Sequence, residues 1–496
     1  MKYVLALDQG TTSSRALLFD PQGNVAATAS RPVPARFPAP GYVEQDPLEL
    51  LQTQVACLRE AAAGREGEIL CLGIANQRET VVLWDARTGD PVGPAIGWQC
   101  RRTADLCDRL IRDGWEAEVQ RRTGLRIDPY FSGTKIAWAL RHLPEARRLA
   151  DQGHLRFGTV DAFLRYRLTG RHQTDPANAS RTMLFNLERL DWDEELLRAL
   201  GIPPSLLPTV GDNCGELGLL KPEILGRAIP VTGVAGDQQA ALYGQACFAA
   251  GQAKNTYGTG CFLLQNIGAK PLRSQDKLLT TVAWRIAGQT TYAMEGSVFM
   301  GGATVQWLRD QLGLIRTAAE SEAVAASVPD TGGVYLVPAF TGLGAPYWDM
   351  RGRGTLVGMT RGTGRAQVVR AGLESIAYQC ADVLAACQRD GGQVTLLRVD
   401  GGACANDLLM QFQADLLGVP LLRPRNSETT ALGAAMLAGR GAGLWTADRE
   451  LEALNAPERA FLPQMDPSER ARRLAGWHKA VDRARGWEEP GQGATP

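Results

Sequence analysis

The chain has 496 residues, 45% of them hydrophobic and 21% charged, with 53 basic and 53 acidic side chains and a net charge of zero. This balance argues against nucleic acid or an anionic membrane as partners, and no apolar stretch reaches the roughly 18 residues of a membrane span. Ten scattered cysteines and only four histidines predict neither a disulfide framework nor a zinc site, so we expect a cytoplasmic protein whose length favours two large domains.

The first two predicted elements form a hairpin with polar side chains at its turn. Residues 3–7 and 16–19 are apolar runs typical of strands, and the loop between them reads Asp8-Gln9-Gly10-Thr11-Thr12-Ser13-Ser14-Arg15. Backbone N–H groups, hydroxyls and a carboxylate together are what a magnesium polyphosphate requires. The Walker loop differs, because it joins a strand to a helix and carries Gly-Lys-Ser/Thr. The hairpin therefore resembles the actin-like class of ATP-binding folds.

The rest of the first half alternates strand and helix signals. Helices are predicted at residues 47–63, 103–112 and 237–248, and strands at 69–74, 80–84 and 229–235. The first helix opens with Asp46-Pro47, which combines an N-cap residue with proline at the first helical position. Residues 251–252, Gly-Gln, are typical of a hinge. We expect a first domain over residues 1–246.

The second half begins again with a strand, a glycine turn and a strand. Residues 253–260 are predicted to form a strand and then the Gly-Thr-Gly turn, further strands are predicted at 261–265, 333–337 and 396–399, and helices at 365–387 and 407–417. We expect a second domain over residues 252–440 and a helical extension with a tail over 441–496, whose Gly/Pro-rich end, 490–496, is expected to fray. The fold class predicted is α/β, with two domains facing a cleft.

Two further glycine turns are candidates for nucleotide contacts. Gly258-Thr259-Gly260 joins two predicted strands, and Gly401-Gly402 joins a strand to a helix. Each alone is equally typical of an ordinary connection, although glycines also let a backbone approach a phosphate or a flat ring. Three such loops in one chain favour nucleotide binding.

Asp237 is the candidate catalytic residue. It directly follows a predicted strand and opens a helix, where α/β proteins place reactive groups. An N-cap role explains an aspartate there equally well. The next two side chains, Gln238 and Gln239, favour a functional site because two amides at the edge of a cleft can bind hydroxyls.

Arg78 and Glu79 are candidates for binding a polyol, since vicinal hydroxyls need donors and acceptors together. A solvated turn with a surface ion pair is the competing interpretation. Trp98, Tyr130 and Phe262 could supply an apolar wall for a carbon chain, although core packing is the more common role of such side chains.

With these motifs together, the chain resembles the FGGY family of carbohydrate kinases, and among them the members that phosphorylate glycerol. The resemblance runs over residues 2–487. It is carried by residues 6–15, 74–80, 127–138, 178–186 (NASRTMLFN), 235–242, 253–262, 340–348 (FTGLGAPYW) and 398–406.

The resemblance implies two actin-like, ribonuclease-H-like ATPase domains facing a catalytic cleft, and transfer of the γ-phosphoryl group of ATP to glycerol as the first step of glycerol catabolism. ATP and Mg²⁺ are the implied cofactors, with Asp8 and Asp237 near the metal, Asp237 as general base and Arg15 stabilising the transferring group. The implied glycerol contacts are Arg78, Glu79, Trp98, Tyr130, Asp237, Gln238 and Phe262. The implied nucleotide contacts are Thr11, Thr12, Ser13, Arg15, Gly258, Thr259, Gly302, Gln306, Gly401, Gly402 and Asn406.

The resemblance also bears on assembly and regulation. Similar kinases form homodimers or homotetramers, so we expect one of these states. Some bacterial relatives bind fructose 1,6-bisphosphate through a glycine-rich loop with an arginine, but residues 219–230 of this chain contain only Gly226-Arg227. Others are phosphorylated on a nearby histidine, and here no histidine lies between His172 and His478. We expect neither form of regulation.

Three other functions remain to be compared. A kinase for a ketopentose or larger polyol needs a wider pocket than Trp98, Tyr130 and Phe262 would leave. A non-catalytic, chaperone-type ATPase would use the phosphate loops but has no need of a polyol site. A dehydrogenase is disfavoured because no Gly-x-Gly-x-x-Gly follows the first strand.

Overall fold

We describe the protein from a computed structural model, which covers residues 2–488. The predicted tail over residues 490–496 lies outside the described residues. The strands are β1 (Tyr3–Gln9), β2 (Ser13–Phe19), β3 (Val25–Pro32), β4 (Glu44–Gln45), β5 (Ile69–Asn76), β6 (Val82–Asp85), β7 (Ala95–Ile96), β8 (Leu155–Gly158), β9 (Gln173–Thr174), β10 (Phe185–Asn186), β11 (Asp191–Trp192), β12 (Thr209–Val210), β13 (Cys214–Leu220), β14 (Ile229–Gly236), β15 (Ala253–Tyr257), β16 (Cys261–Gly268), β17 (Leu279–Ile286), β18 (Gln289–Val298), β19 (Tyr335–Val337), β20 (Thr355–Val357), β21 (Leu397–Asp400), β22 (Leu421–Pro424) and β23 (Pro457–Phe461).

The helices alternate with groups of strands along the chain. They are α1 (Pro47–Ala62), α2 (Ala104–Arg112), α3 (Glu116–Thr123), α4 (Ser132–His142), α5 (Pro144–Asp151), α6 (Val160–Thr169), α7 (Pro176–Ala179), α8 (Glu194–Leu200), α9 (Pro222–Leu225), α10 (Asp237–Gly244), α11 (Gly302–Asp310), α12 (Glu320–Ala326), α13 (Arg365–Gly391), α14 (Asp407–Leu417), α15 (Thr429–Gly441), α16 (Asp448–Leu454) and α17 (Pro467–Ala484). Among the described residues, no helix combines the length and apolarity that crossing a bilayer requires.

Thirteen of the described strands form one sheet, in the order β23-β22-β21-β15-β16-β18-β17-β13-β14-β5-β1-β2-β3. We call the six strands β13, β14, β5, β1, β2 and β3 the N-terminal half of the sheet. The other seven, β23, β22, β21, β15, β16, β18 and β17, are its C-terminal half. In the first, β1 pairs antiparallel with β2 and parallel with β5; in the second, β15 pairs antiparallel with β16 and parallel with β21. In the described sheet the two halves are paired at Cys214 and Ile286, and the backbone N–H of Asn213 donates to the carbonyl of Arg285 at 2.8 Å beside that pair. The repeated arrangement confirms the predicted fold class.

The predicted signals at the start of the chain correspond to real local interactions. The backbone N–H of Gly10 donates to the carbonyl of Ser13 at 2.9 Å and closes the β1–β2 hairpin. The Asp46 carboxylate accepts the N–H of Leu48 at 2.9 Å, so Asp46 is the N-cap of α1, with Pro47 at the first helical position. α1 then packs against β2 and β3.

Helix α15 belongs to the second half of the sequence but packs on the N-terminal half of the sheet, against β5 and β14. It also crosses α10 at very short range. A Cβ atom on Gly433 would lie 1.8 Å from the carbonyl oxygen of Ala240, so only glycine permits this crossing. Helix α15 therefore lies in the second half of the sequence but packs with the N-terminal half of the sheet.

The segment after residue 441 contains a strand besides its helices. β23 pairs antiparallel with β22 and extends the edge of the sheet, and α17 packs against β19, β20 and α14. One predicted element is shorter than expected: the helix that begins at Asp237 ends at Gly244, because a turn begins where the sequence pattern still allowed the helix to continue. The strand that begins at Ala253 ends at Tyr257, directly before the predicted glycine turn.

Candidate active site

The candidate site lies where parallel strands of the N-terminal half end side by side. In the pairing register, Asp8 on β1 lies beside Ala75 on β5, and Asn76 lies beside Gly236 on β14. The chain leaves β5 into the turn that carries Arg78 and leaves β14 directly into Asp237. Side chains that follow neighbouring parallel strands meet at the carboxyl edge of the sheet, which is where α/β proteins bind their ligands.

Arg78 and Asp237 are in contact. Arg78 Nε lies 3.2 Å from Asp237 Oδ1; the Arg78 side chain is 2% exposed and that of Asp237 is 29% exposed. A Cβ atom on Gly236 would lie 2.7 Å from two carbons of the Arg78 side chain, so the glycine before Asp237 makes room for the arginine. Asp237 is the first residue of α10 rather than its cap, and its carboxylate accepts the N–H of Gln238 at 2.7 Å.

A buried network of alternating charges holds Arg78 in place. Glu295, on β18 of the C-terminal half, accepts N–H groups from Arg78 at 2.6 and 3.0 Å and from Arg181 at 3.1 Å. Arg181 also donates to Glu79 at 2.7 Å. Burial alone would raise the pKa of Glu295, but Arg181 and Arg78 lower it to about 2, so this carboxylate is charged at neutral pH. Neither Glu295 nor Arg181 is among the site residues that the sequence predicts.

Glu79 is placed by an unusual backbone conformation. Its φ is 61°, a region that residues other than glycine seldom adopt and that often marks a functional site. The side chain is 2% exposed. Burial raises the pKa of Glu79, although Arg78 and Arg181 oppose the shift. The turn is thus shaped to aim one arginine and one carboxylate at the same place.

Aromatic side chains border this group. The rings of Trp98 and Tyr130 meet edge to face at 5.6 Å, and the Arg181 guanidinium lies 5.6 Å from the Tyr130 ring centre. Trp98 Nε1 donates to Thr11 Oγ1 at 2.9 Å, which joins the aromatic pair to the first hairpin. Phe262, on β16, is partly buried and belongs to the C-terminal half. The predicted wall residues Trp98 and Tyr130 therefore do lie next to the predicted polar residues.

Asp8, in the first hairpin, has little positive charge near it to balance its own negative charge. Arg15 Nη1 lies 3.8 Å from Asp8 Oδ2, and its Nη2 donates to Glu428 at the start of α15. Burial raises the pKa of Asp8 to about 7; Arg15 opposes the shift, while the carboxylates of Asp237 and Glu428 add to it. Arg15 thus contacts two carboxylates, Asp8 and Glu428, and the negative charge of Asp237 also acts on Asp8; carboxylate oxygens in such a place fit a divalent cation bound partly by protein oxygens.

Protein side chains alone do not complete such a metal site. The described residues include no group of three or more His, Cys, Asp or Glu side chains positioned to hold a metal ion.

The second predicted phosphate loop contacts the start of a helix. The carbonyl of Gly258 accepts the N–H of Gly302 at 2.8 Å, and that of Thr259 accepts the N–H groups of Gly301 and Ala303 at 2.9 and 3.1 Å. The loop and the N-terminus of α11 therefore form one unit. Gln306 is on the exposed side of the same helix.

The third predicted loop, after β21, lies beside the second, since Asp400 pairs with Thr256 in the parallel register. A Cβ atom on Gly401 would lie 2.6 Å from the carbonyl oxygen of Tyr257. Asn406 caps α14 by accepting the N–H of Leu409 at 2.9 Å, and its amide lies 3.4 Å from the Ser321 hydroxyl. The structure therefore brings the two glycine loops of the C-terminal half together.

A buried lysine also faces the site. Lys254, on β15, donates to Gln238 Oε1 at 2.5 Å and to Thr256 Oγ1 at 2.8 Å. Burial lowers the pKa of Lys254 to about 8, with the carboxylate of Asp400 opposing that shift most strongly. Lys254 lies within residues 253–262, which carry the family resemblance, but it is not among the predicted site residues.

Two duplicated α/β halves, with glycine turns and charged side chains at adjoining strand ends, define a two-domain phosphotransferase. The sequence model described as the FGGY family of carbohydrate kinases, N-terminal domain, matches residues 3–244, and the model of the C-terminal domain of that family matches residues 253–442. The chain therefore belongs to the FGGY family of carbohydrate kinases.

Curated relatives and solved structures agree with this assignment. The chain is 57% identical to a glycerol kinase of Symbiobacterium thermophilum over 98% of this chain and 99% of the relative, and 58% identical to one of Aromatoleum aromaticum with the same coverage. The crystal structure of Plasmodium falciparum glycerol kinase with ADP matches with a TM-score of 0.93 at 35% identity, covering 98% of each chain. A xylulose kinase of Lactobacillus acidophilus matches with a TM-score of 0.87 at 22% identity, and shares the fold.

Proposed function

We propose that this enzyme transfers the γ-phosphoryl group of ATP to a primary hydroxyl of glycerol and forms sn-glycerol 3-phosphate. The observation that carries the proposal is the contact between Arg78 and Asp237 at 3.2 Å, within one charged network that includes Glu79. The similarity to glycerol kinases over the full length of the chain supports the choice of substrate. All ten cysteines are free thiols, which fits the cytoplasm as the compartment.

The polar side chains match the needs of a small triol. Each hydroxyl can donate once and accept twice, so a site for adjacent hydroxyls needs donors and acceptors side by side. Arg78 and the Gln238 amide supply donors, while Glu79 and Asp237 supply acceptors. Trp98 and Tyr130, in edge-to-face contact, would cover the carbon chain. Such a site encloses three carbons and excludes water that would otherwise accept the phosphoryl group.

Asp237 is the proposed general base. As the glycerol oxygen forms its bond to the γ-phosphorus, the bond between that phosphorus and the β,γ-bridging oxygen breaks and ADP leaves. The hydroxyl proton passes to the carboxylate of Asp237, which is partly exposed and therefore accessible to substrate. Its second role is to orient the hydroxyl, and the fixed Arg78 beside it keeps the carboxylate in position. Such positioning dominates catalysis when the transition state is loose.

The nucleotide would lie across the two halves. Residues 11–13 and Arg15 of the first hairpin and the loop around Thr259 present N–H groups, hydroxyls and a guanidinium to its phosphates. Asp8 and Asp237 would hold Mg²⁺, which neutralises phosphate charge when bound. Gly302, Gln306, Gly401, Gly402 and Asn406 would contact the rest of the nucleotide.

A kinase for ketopentoses or another polyol is the second candidate, since xylulose kinases share the fold. The test is an assay of ADP formation with MgATP and a panel of glycerol, dihydroxyacetone, D-xylulose and D-gluconate. We expect glycerol to give the highest kcat/KM and sn-glycerol 3-phosphate as product. A preference for a ketopentose would overturn the substrate assignment, and ADP formation independent of any added alcohol would indicate an ATPase. Size-exclusion chromatography of the same sample tests the expected homodimer or homotetramer.

A further inference from the structure

Lys254 is a fully buried lysine that the proposed chemistry does not use. It lies on β15 in the C-terminal half, yet its ammonium contacts Gln238 of α10, the residue next to the proposed base. A buried ammonium is costly unless its donors find acceptors. Here two acceptors are the Gln238 side-chain oxygen and the Thr256 hydroxyl. The carboxylates of Asp400, Asp237 and Glu295 face it as counter-charges, and the Arg78 guanidinium is the like charge nearby.

This contact fixes which way the Gln238 amide points. A protonated lysine has three donors and no acceptor, so only the oxygen of the amide can face it. Although burial lowers the pKa of Lys254 to about 8, the amine is still mostly protonated at pH 7. The amide nitrogen must then point the other way. In the described part of the chain, Gln238 Nε2 donates to no protein atom.

We propose that Lys254 is a positioning residue that locks the Gln238 amide as a hydrogen-bond donor toward the polyol, and so selects a substrate oxygen that accepts at that point. The proposal rests on the proposed function, because it takes Gln238 as a substrate contact. Without the lysine, the amide could rotate and offer either group. A hydroxyl or a carbonyl oxygen of the substrate satisfies the locked amide, whereas an ammonium group there does not.

The test is a double-mutant cycle on the full chain with MgATP and glycerol, using Lys254→Met, Gln238→Ala and the double variant. A neutral hydrogen bond is worth about 1 kcal/mol, and a tenfold change in affinity corresponds to 1.4 kcal/mol. We expect each single substitution to raise KM for glycerol about five- to tenfold, with a smaller change in KM for ATP. The double variant should be no worse than Gln238→Ala alone, because the lysine then has no amide to orient.

The outcomes separate the two proposals. The unsubstituted protein is assayed first, and absence of glycerol-dependent ADP formation would overturn the proposed function itself. Given that activity, independent and multiplicative effects in the double variant would overturn the role of Lys254. The role of Lys254 would also be overturned if Lys254→Met lowered kcat, or raised KM for ATP, equally in the unsubstituted protein and in Gln238→Ala. Lys254 would then act on the nucleotide.

A second substitution covers the case in which Lys254→Met does not fold. Gln238→Glu keeps an oxygen toward Lys254 and adds an ion pair, but presents an acceptor to the polyol. We expect a thermal midpoint at or above that of the unsubstituted protein and a KM for glycerol raised at least tenfold. An unchanged KM would show that the donor is not needed and would overturn the proposal.

Discussion

Substituting Glu295 by glutamine tests whether a side chain of the C-terminal half controls the polyol site of the N-terminal half. Glutamine keeps the shape of the side chain but removes its charge and replaces one acceptor oxygen by a donor. Glu295 is completely buried and accepts three N–H groups from Arg78 and Arg181. Within the described residues, the ion pairs that the two arginines keep after substitution are those with Glu79 and Asp237.

The magnitude follows from these contacts. Removing one member of a buried ion pair costs about 3–5 kcal/mol, because the remaining charge stays buried. Part of this cost is relieved when Arg78 moves closer to Asp237, which weakens the proposed base. We expect the free energy of unfolding to fall by about 3 kcal/mol and kcat/KM for glycerol to fall about 100-fold, at 1.4 kcal/mol for each factor of ten. Urea unfolding and a coupled ADP assay measure the two quantities.

Glu374 provides a matched control. It is also buried and paired with two arginines, Arg370 at 2.9 Å and Arg473 at 3.7 Å, but it lies on α13 outside the site. Glu374→Gln should lower stability without changing kcat/KM for glycerol more than about threefold. If Glu295→Gln changed kcat/KM for glycerol no more than Glu374→Gln does, the idea that Glu295 of the C-terminal half governs the polyol site would be refuted.

Three further predictions concern other parts of the molecule. Trp98→Phe keeps an aromatic ring but removes the hydrogen bond to Thr11, and should raise KM for glycerol about fivefold in steady-state kinetics; an unchanged KM would show that this hydrogen bond does not position the ring at position 98 for glycerol. Burial lowers the pKa of His172 to about 4 from 6.5, so between those values the unfolded chain binds a proton that the folded chain refuses. Stability should therefore fall by up to about 3 kcal/mol from pH 6.5 to 4, and His172→Gln should remove that part of the dependence in urea unfolding. Arg227 donates to backbone carbonyls of residues 66 and 67, so fructose 1,6-bisphosphate should not inhibit; inhibition at millimolar concentration would disprove this.

Much of the fold could be predicted because its signals are local. The hairpin at residues 3–19, the N-cap Asp46 and the strand before Asp237 each depend on neighbouring residues, and all three are present. The crossing of α10 by α15 could not be predicted, because it depends on a backbone contact between Ala240 and Gly433, far apart in sequence. Pairing of Cys214 with Ile286, which joins the sheet halves, is equally non-local.

The site residues likewise divide into those that local sequence predicts and those that only distant contacts bring together. Arg78, Glu79 and Asp237 stand in motifs at strand ends, and their neighbourhood follows from the parallel register. Glu295 and Lys254 lie within strands, where their contacts depend on how the C-terminal half meets the N-terminal half. Both strands are mostly buried, and a charged residue inside a buried strand requires a partner. Whether that partner belongs to a site is decided only by the tertiary structure.

The most direct test of the account is a single-turnover experiment with Asp237→Asn. Enzyme in excess is mixed with γ-labelled MgATP and saturating glycerol, the reaction is quenched at intervals, and labelled glycerol 3-phosphate is quantified beside glycerol binding by calorimetry. We expect the substitution to slow phosphoryl transfer at least 100-fold while the Kd for glycerol changes only a few-fold. Transfer at the rate of the unsubstituted protein would contradict it.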